Sequence, residues 1–302
     1  MAIVAAGQLV LLIGAAVWLA TWLEMTIRQM APAGVTDQII DQVRWVSISL
    51  MLIVVIASTL LTALLVHHYD SALAGRNVDL EDLVDRRSKA LLKSRSAVIM
   101  GLAMLAESRD GETGQHLIRI RSYVRILGEE LARRRHPEVD TEFVETLEET
   151  CVLHDIGKVG VPDGVLNKPA LLDDEQRRII QQHPLIGGDT LLAVKRQWGD
   201  DPFLLTACEV CFSHHERWDG TGYPFGLSGD MIPIAGRIVA LADVYDALTT
   251  ERRYKTAMSH DEARTLIVEG SGTHFDPVVV KAFESTEDAF RAARDLLSSD
   301  EE

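Results

Sequence analysis

The distribution of apolar residues separates a strongly hydrophobic beginning of the chain from a more polar remainder. Residues 2–23 form a run of 22 in which Gln8 and Thr21 are the only clearly polar side chains, and residues 45–66 form a second run of 22 interrupted only by Ser and Thr. Neither run carries a charge, and as a helix each would span roughly 33 Å, the thickness of a bilayer core. The pattern predicts a hairpin of two transmembrane helices. Two buried core helices are the alternative, which such long uncharged runs disfavour.

Basic residues near the two runs predict their orientation. Residues 24–44 contain only two, Arg28 and Arg44, whereas six Lys or Arg residues lie between 67 and 96. Because Lys and Arg concentrate on the cytoplasmic side of a membrane, we expect the chain beyond residue 66 to lie in the cytoplasm. The segment Ala31-Pro32-Ala33 could also be a signal-peptidase site, and cleavage there would leave the second run with the same orientation.

Residues 67–96 are polar and helix-forming, and a row of apolar residues begins within them and continues beyond. Its members recur mostly at spacings of three, four and seven, with Arg87 and Ser94 as polar interruptions: Leu80, Leu83, Val84, Leu91, Val98, Leu102 and Leu105. This spacing predicts a seam along one helix face. We interpret the seam as the stalk of a parallel homodimer. An amphipathic helix packed on the following domain is the alternative.

The remainder of the chain has a helical pattern with Gly- and Pro-rich loops and no succession of alternating strands. We therefore expect an all-α protein, because amphipathic helical periodicity without strand alternation indicates helices packed on helices. The predicted order is a membrane anchor, a helical connector, a helical domain and an acidic tail, at residues 1–66, 67–96, 97–290 and 291–302.

The charge balance limits the partners that the chain can bind. There are 30 Lys and Arg against 45 Asp and Glu, a formal net charge of −15. Nucleic-acid polymers are bound largely through cations placed on phosphates, so this balance argues against them but allows a small phosphate ligand held by metal ions.

Three cysteines exclude a disulfide scaffold. We interpret the C-x-x-C pair Cys208 and Cys211 as buried thiols rather than a redox or metal pair.

Histidines and acidic residues recur in the helical part in a pattern that solubility does not require. Eight residues stand out: Glu112, His116, His154, Asp155, His183, His214, His215 and Asp243. Glu112 and His116 are four residues apart and would share one helix face. Asp243 lies in an apolar helix, where an unpaired carboxylate is costly. Each residue alone has an ordinary explanation, as a solvated, capping or hydrogen-bonded side chain. Together, imidazoles and carboxylates predict a multinuclear metal site.

Several motifs resemble the HD-GYP subfamily of the HD-superfamily metal-dependent phosphohydrolases. Residues 154–158 resemble the HD motif, and residues 214–224 resemble the subfamily signature. Further matches lie at 243–249 and 272–277, so that the resemblance covers about residues 97–285. It implies an HD-type helical bundle that hydrolyses the bacterial second messenger cyclic di-GMP to pGpG, and in a further step to GMP. The predicted location is therefore the inner membrane of a bacterium, crossed twice and in contact with its lipid, with the catalytic domain in the cytoplasm.

The resemblance also implies roles for individual residues. The eight histidines and acids match the metal-ligand positions of the family, with Asp155 as the carboxylate that bridges two metals. In the family a glutamate at the position of Glu112 accompanies three-metal sites. Lys158 matches the residue that contacts the scissile phosphate, and Arg252 and Lys255 match contacts to substrate phosphate. Two or three divalent ions are expected per chain, and ligands without thiolate suit iron or manganese.

A loop formed by Gly222, Tyr223 and Pro224 carries the remaining signature residues. Glycine permits positive φ there and proline fixes a bend, so a tight turn without ligand contact explains the loop as well as a rim beside the substrate does. The resemblance adds a third interpretation, a docking surface for a diguanylate cyclase. Arg253 stands where the family commonly has proline, which leaves the roles of its neighbours Arg252 and Lys255 open.

Hydrolysis of a phosphodiester fits these residue types. Two cations held close together can bind phosphate oxygens and acidify a water, and a lysine can neutralise charge that builds on the phosphoryl group. In this hypothesis Asp155 orients the attacking hydroxide and Lys158 contacts the phosphate. Two alternatives remain. The chain could be a non-catalytic receptor that binds cyclic di-GMP and signals through the stalk, or it could hydrolyse another cyclic dinucleotide.

Overall fold

The computed structural model describes residues 2–30, 37–109, 114–251 and 256–298. The chain divides into two compact units, Met1–Ala90 and Leu91–Glu302. Four positions with predicted roles, Glu112, Arg252, Arg253 and Lys255, lie outside the described residues, as does the segment Ala31-Pro32-Ala33.

The first unit is built from two long helices. Helix α1 spans Ala2–Met30, and helix α2 spans Asp37–Glu107, with 29 and 71 residues. Helix α2 therefore begins in the first unit and ends in the second. Both helices contain stretches that are long and apolar enough to cross a membrane, on the criteria of length and composition. Within this unit, Glu24 lies 3.3 Å from Arg28 and 3.9 Å from Arg44.

The second unit confirms the predicted all-α class. After the end of α2, ten further α-helices follow: α3 Gly114–Arg133, α4 Thr141–Thr150, α5 Asp163–Leu166, α6 Asp174–Ile180, α7 His183–Trp198, α8 Pro202–Ser213, α9 Ile234–Thr249, α10 His260–Glu269, α11 Pro277–Ser285 and α12 Glu287–Ser298. In the described part of the chain, three short 3₁₀ helices lie between them, at Cys151–Leu153, Ile156–Gly160 and Gly229–Met231. Among the described residues the only β feature is an isolated bridge between Ser271 and Phe275. The second 3₁₀ helix, Ile156–Gly160, is called the Lys158 turn below.

Polar residues at the helix starts explain where several of these helices begin. Asp140 accepts a hydrogen bond from the backbone N–H of Phe143 and caps α4. Asp173 and Ser259 each form a reciprocal capping box, at the starts of α6 and α10. These side chains satisfy backbone N–H groups that have no partner inside the first helical turn.

The core of the second unit lies around α9, whose sequence is apolar on most of its faces. Its aromatic centre contains Tyr123 of α3, Tyr245 of α9, Phe283 of α11 and Phe290 of α12, all fully buried. Tyr123 and Phe290 stack with ring centroids 4.9 Å apart. Helix α12 thus begins as part of the core, and it continues through residues predicted to start the acidic tail.

Close packing between the Lys158 turn and α7 determines the geometry near the HD motif. A Cβ atom on Gly157 would lie 1.9 Å from the carbonyl oxygen of His183 and 2.5 Å from the backbone nitrogen of Gly187. Only glycine permits this approach of two backbones. The contact brings the segment that carries Asp155 against the start of α7, where His183 lies.

Candidate metal centre

Seven of the eight predicted metal ligands come together in two groups. The His154 group contains His116, His154 and Asp243, and the Asp155 group contains Asp155, His183, His214 and His215. Within each group the potential ligand atoms all lie within 4.8 Å of one another. The eighth residue, Glu112, lies outside the described residues. The ligands come from α3, α7, α9 and the ends of other helices, so the fold assembles residues that are far apart in the sequence.

Asp155 connects the two groups. One carboxylate oxygen, Oδ2, lies 3.4 Å from Nε2 of His154. The other, Oδ1, lies 2.9 Å from Nε2 of His183 and 3.5 Å from Nε2 of His214. Because its two oxygens face different groups, the carboxylate is placed as a bridging ligand would be.

Backbone carbonyls orient three of the imidazoles. Nδ1 of His154 lies 2.8 Å from the carbonyl oxygen of Cys151, and Nδ1 of His183 lies 2.7 Å from that of Ile180. Nδ1 of His214 is 3.0 Å from the carbonyl oxygen of Val210. Since a carbonyl oxygen only accepts, Nδ1 donates in each case and the lone pair of the neutral ring lies on Nε2. All three lone pairs therefore face the centre.

A carboxylate orients His116 instead. Nδ1 of His116 lies 2.8 Å from Oδ2 of Asp246, which is 1% exposed. Arg119 donates to both oxygens of the same carboxylate, at 2.6 and 3.0 Å. Burial alone would raise the pKa of Asp246, but the hydrogen bonds from His116 and Arg119 outweigh it and lower that pKa. Asp246 thus stays ionised and fixes the imidazole of a ligand.

Asp246 and Arg119 were not among the site residues predicted from the sequence. Asp246 follows Asp243 by three positions on the apolar helix α9, and this second carboxylate in an apolar run is the signal that could have identified it. Arg119 follows His116 by three positions on α3, so the two share a helix face.

The donor atoms fit divalent metal ions. Nε2 of His154 and Oδ1 of Asp155 are buried, and neither has a hydrogen-bond partner among the described residues. With Nδ1 of His183 donating to Ile180, the 2.9 Å contact between its Nε2 and Asp155 brings two acceptors together. A cation between them satisfies both, and two ligand atoms each about 2.0–2.2 Å from one metal are commonly about 3 Å apart. The residues present therefore suit the metals expected for this site.

Charge is distributed unequally between the two groups. Burial would lower the pKa of His154, but Asp155 and then Asp243 and Glu107 outweigh it and raise that pKa to about 10. At His214 and His215 burial dominates and lowers the pKa. The surroundings of His154 thus favour a cation, whether a proton or a metal ion, whereas His214 and His215 of the Asp155 group are held as neutral imidazoles.

Lys158 extends from its turn to the edge of the centre. Its Nζ lies 2.7 Å from Oδ2 of Asp155 and 3.6 Å from Oε2 of Glu107. Glu107 is the last residue of α2 and is 2% exposed. The sequence analysis did not identify Glu107, because its place beside Lys158 depends on tertiary packing. The other predicted phosphate contacts, Arg252 and Lys255, lie outside the described residues.

The loop at residues 222–224 packs against the ligand His215. The backbone N–H of Tyr223 donates to the carbonyl of His215 at 3.2 Å, and the two rings stack with centroids 4.7 Å apart. A Cβ on Gly222 would lie 2.4 Å from the backbone nitrogen of Arg217. Glu216, which is buried, accepts hydrogen bonds from the backbone N–H groups of Phe225 and Leu227 at 2.8 and 3.0 Å. The loop and the segment that carries His215 therefore form one packed structure.

The C-x-x-C pair contains buried thiols, as predicted. Cys208 and Cys211 are free and buried, and Cys211 Sγ lies 3.0 Å from the carbonyl oxygen of Leu153. Burial raises the pKa of both thiols, which favours their protonated form.

Residues 88–279 match the family model described as HD domain. The chain belongs to the HD domain family. Curated relatives confirm the predicted assignment to its HD-GYP members. In Vibrio cholerae serotype O1, a cyclic di-GMP phosphodiesterase is 47% identical over 215 residues, which cover 70% of this chain and 43% of the relative. A probable cyclic di-GMP phosphodiesterase of the same organism is 44% identical, covering 70% of this chain and 48% of its own length.

A third relative in the same organism carries a different substrate in its name. The 3′3′-cGAMP-specific phosphodiesterase 2 is 36% identical, over 77% of this chain and 41% of the relative. The chain thus spans less than half the length of each of these three relatives.

Proposed function

We propose that this HD domain protein is a metal-dependent phosphodiesterase that hydrolyses cyclic di-GMP to the linear dinucleotide pGpG, and more slowly to GMP. The observation that carries the proposal is the pair of ligand groups connected by Asp155, with the ammonium group of Lys158 2.7 Å from the same carboxylate. The relatives at 47% and 44% identity carry this activity in their names.

Different residues have different roles in the proposed hydrolysis. Divalent ions, when bound, supply positive charge to the phosphodiester and lower the pKa of water. The His154 group would hold one ion and the Asp155 group a second, with one oxygen of Asp155 directed to each. Lys158 is placed to donate to phosphoryl oxygens as negative charge builds on them. Asp246 and Arg119 keep His116 in the orientation that a ligand needs.

The number and identity of the ions follow from the ligands in this proposal. The two groups account for two ions, and Glu112 would add a ligand for a third. Imidazole and carboxylate ligands suit iron or manganese, and no cysteine belongs to either group.

We further propose that residues 1–66 anchor the protein in the inner membrane of a bacterium and that residues 67–96 connect the anchor to a catalytic domain at residues 97–290. Large apolar side chains of α1 and α2, such as Trp18, Leu61 and Leu65, are more than half exposed. Contact with lipid would remove this surface from water. The excess of Lys and Arg after residue 66 supports a cytoplasmic catalytic domain.

A second copy of the chain is the proposed partner for the seam on α2. Leu91, Val98 and Leu105 are 72%, 61% and 67% exposed, so within the second unit they are not covered by its own helices. Their spacing of seven residues is that of a parallel coiled coil, which supports a homodimer through the stalk.

The exposed ring of Phe225 supports a docking role for the neighbouring loop, with a diguanylate cyclase as the proposed partner.

The test compares cyclic dinucleotides as substrates for the full chain. The protein is purified anaerobically in detergent, supplied with iron or manganese, and incubated with cyclic di-GMP, 3′3′-cGAMP or cyclic di-AMP while chromatography follows the products. We expect cyclic di-GMP to be hydrolysed fastest and pGpG to appear first. Faster hydrolysis of 3′3′-cGAMP would favour the second candidate function, which the 36% identical relative supports. Binding of cyclic di-GMP without turnover in the metal-loaded protein would contradict the proposal and favour the receptor.

A further inference from the structure

Arg109 lies two residues beyond the end of α2 and reaches the Lys158 turn. Its guanidinium donates to the carbonyl oxygens of Lys158 at 2.8 Å and Val161 at 3.0 Å, and it also contacts that of Val159. It donates in addition to the carboxylate of Asp163 at 2.7 Å. One side chain thus connects the end of α2 to four acceptors in and just after the Lys158 turn.

The Lys158 turn needs such a donor. The last carbonyls of a short helix have no partner within the helix. The carbonyl of Lys158 also accepts the backbone N–H of Val161 at 3.0 Å, so the guanidinium adds to that bond and contacts two further carbonyls, those of Val159 and Val161. A guanidinium is suited to this role because it offers five donors in a planar fork, and its charge makes each hydrogen bond stronger than one between neutral groups. Arg109 is 28% exposed in its side chain, so water competes only partly for these contacts.

The same turn also packs closely on α7. Gly157 packs so closely on α7 that a Cβ there would lie 1.9 Å from the carbonyl oxygen of His183. The turn is therefore held by contacts with both α7 and Arg109. The backbone of Lys158 is fixed by these contacts, and its ammonium group lies between Asp155 and Glu107.

We propose that Arg109 is a positioning residue for Lys158. It acts through the backbone of the turn and does not touch the substrate. The inference rests on the proposed function, in which Lys158 donates to the scissile phosphate. Since Glu107 ends α2 and Arg109 follows it by two residues, the position of this helix end sets the position of the cation beside the metal centre.

The first test measures the position of Lys158 without using catalysis. The full chain in detergent is treated with an acetylating reagent, and mass spectrometry follows the rate at which Lys158 is modified in wild type, Arg109→Met and Arg109→Lys. The control is Arg95→Met, because Arg95 also lies on α2 and pairs with an acid of the second unit, Glu149. We expect Lys158 to react about tenfold faster in Arg109→Met, since the four hydrogen bonds of the guanidinium are lost. Arg109→Lys should lie between Arg109→Met and wild type, and Arg95→Met should match wild type.

The second test uses the kinetics of cyclic di-GMP hydrolysis. Arg109→Met should lower kcat about tenfold and change KM less than about twofold, with unchanged metal content, because it weakens a contact made to the transition state. In a chain that already carries Lys158→Met, adding Arg109→Met should cause no further loss. A purely structural role for Arg109 would lower the rate in both backgrounds.

Two results would overturn the inference. One is an unchanged rate of Lys158 acetylation in Arg109→Met, and the other is an additive loss of kcat in the double variant. If the wild-type chain does not hydrolyse cyclic di-GMP, the proposed function fails. The acetylation rates still decide whether Arg109 positions Lys158, because they require no turnover.

Discussion

The two ligand groups of the metal centre differ in the support of His116, because His154 is oriented by a nearby backbone carbonyl just as two histidines of the Asp155 group are. His183 and His214 of the Asp155 group are oriented by carbonyls that lie three and four residues before them, at Ile180 and Val210. His116 of the His154 group is oriented by Asp246, which is 130 residues away in the sequence. The first arrangement forms with the local helix, whereas the second forms only when α3 packs against α9.

This difference has an energetic consequence. A carbonyl that orients a histidine within one helical segment adds no buried charge. The contact between Asp246 and Arg119 places an ion pair in the core, with side chains that are 1% and 3% exposed. Removing one partner of a buried pair leaves the other charge uncompensated, which costs several kcal/mol. The His154 group should therefore be the more sensitive of the two to changes outside its own ligands.

The largest expected effect comes from removing the residue that the two groups share. Asp155→Asn should lower the rate of cyclic di-GMP hydrolysis at least about a thousandfold, because the amide can no longer bridge two cations at the centre. Metal content should fall at the same time. The rate and the metal content are measured together in the full chain, with the exposed Asp189→Asn as control. Retained turnover in Asp155→Asn would show that the two groups do not act as one centre.

A smaller change should separate the groups. Asp246→Asn removes the charge that orients His116 and leaves every ligand in place, so metal affinity of the His154 group should fall about 10- to 100-fold. The Asp155 group should keep its ion, which titration of the metal-free protein by calorimetry would show as one weakened and one unchanged site. Tyr245→Phe is the matched control, because it removes a hydrogen bond to His260 from the same helix without touching a ligand. Equal weakening of both sites would contradict the comparison.

The Asp155 group depends instead on the packing of the Lys158 turn on α7, and a change in this packing should lower the stability of the protein. Gly157→Ala places a methyl group against the carbonyl of His183, and we expect a loss of about 2 kcal/mol in the free energy of unfolding. Gly164→Ala is the control, since no atom lies within 4 Å of its added Cβ. It should be neutral or slightly stabilising. Thermal unfolding of both variants measures the difference. An unchanged midpoint for Gly157→Ala would show that the turn can move away from α7.

The smallest predicted effect is on stability at low pH. It comes from Glu130, which belongs to neither ligand group, so it reports acid unfolding independently of the metal ligands. The buried carboxylate of Glu130 accepts hydrogen bonds from Arg133 and then Arg134, which lower its pKa from 4.5 to about 2. Because the folded state lowers this pKa, Glu130 stabilises the protein above pH 4.5, and the contribution is lost as the pH falls towards 2. Glu130→Gln should cost about 1 kcal/mol at pH 7, since the arginines are partly exposed. The difference from wild type should vanish near pH 2. A constant difference across this range, measured by denaturant unfolding, would exclude the ion pairs as its cause.

The sequence predicted the ligands better than the residues that support them. His154, Asp155, His214 and His215 belong to short motifs, so their chemistry can be recognised without a fold. The contacts of Asp246 with His116 and of Arg109 with the Lys158 turn join residues 130 and 49 positions apart. Periodicity and motif spacing do not encode such distant pairs.

The fold shows a similar division between local and distant information. The helical class could be predicted from the absence of strand alternation, and the described residues confirm it. The apolar run at residues 45–66 and the polar connector at 67–96 differ in composition, yet both lie in the single helix α2. Asp37–Glu107 contains no proline, so no local signal ends the helix where the composition changes. Conversely, Phe290 is buried because α12 packs against α3 and α9 in the folded domain.

The most direct test of the central claim, that two separately supported ligand groups form one centre, is the metal content of the full chain. Wild type and Asp246→Asn are purified anaerobically and supplied with iron or manganese. The free metal concentration is set so that it just saturates the wild type. Elemental analysis then counts the ions bound per chain. The account predicts at least two ions per wild-type chain and about one fewer in Asp246→Asn. A wild-type chain that holds one ion or none, or a variant that loses all its ions at once, would contradict it.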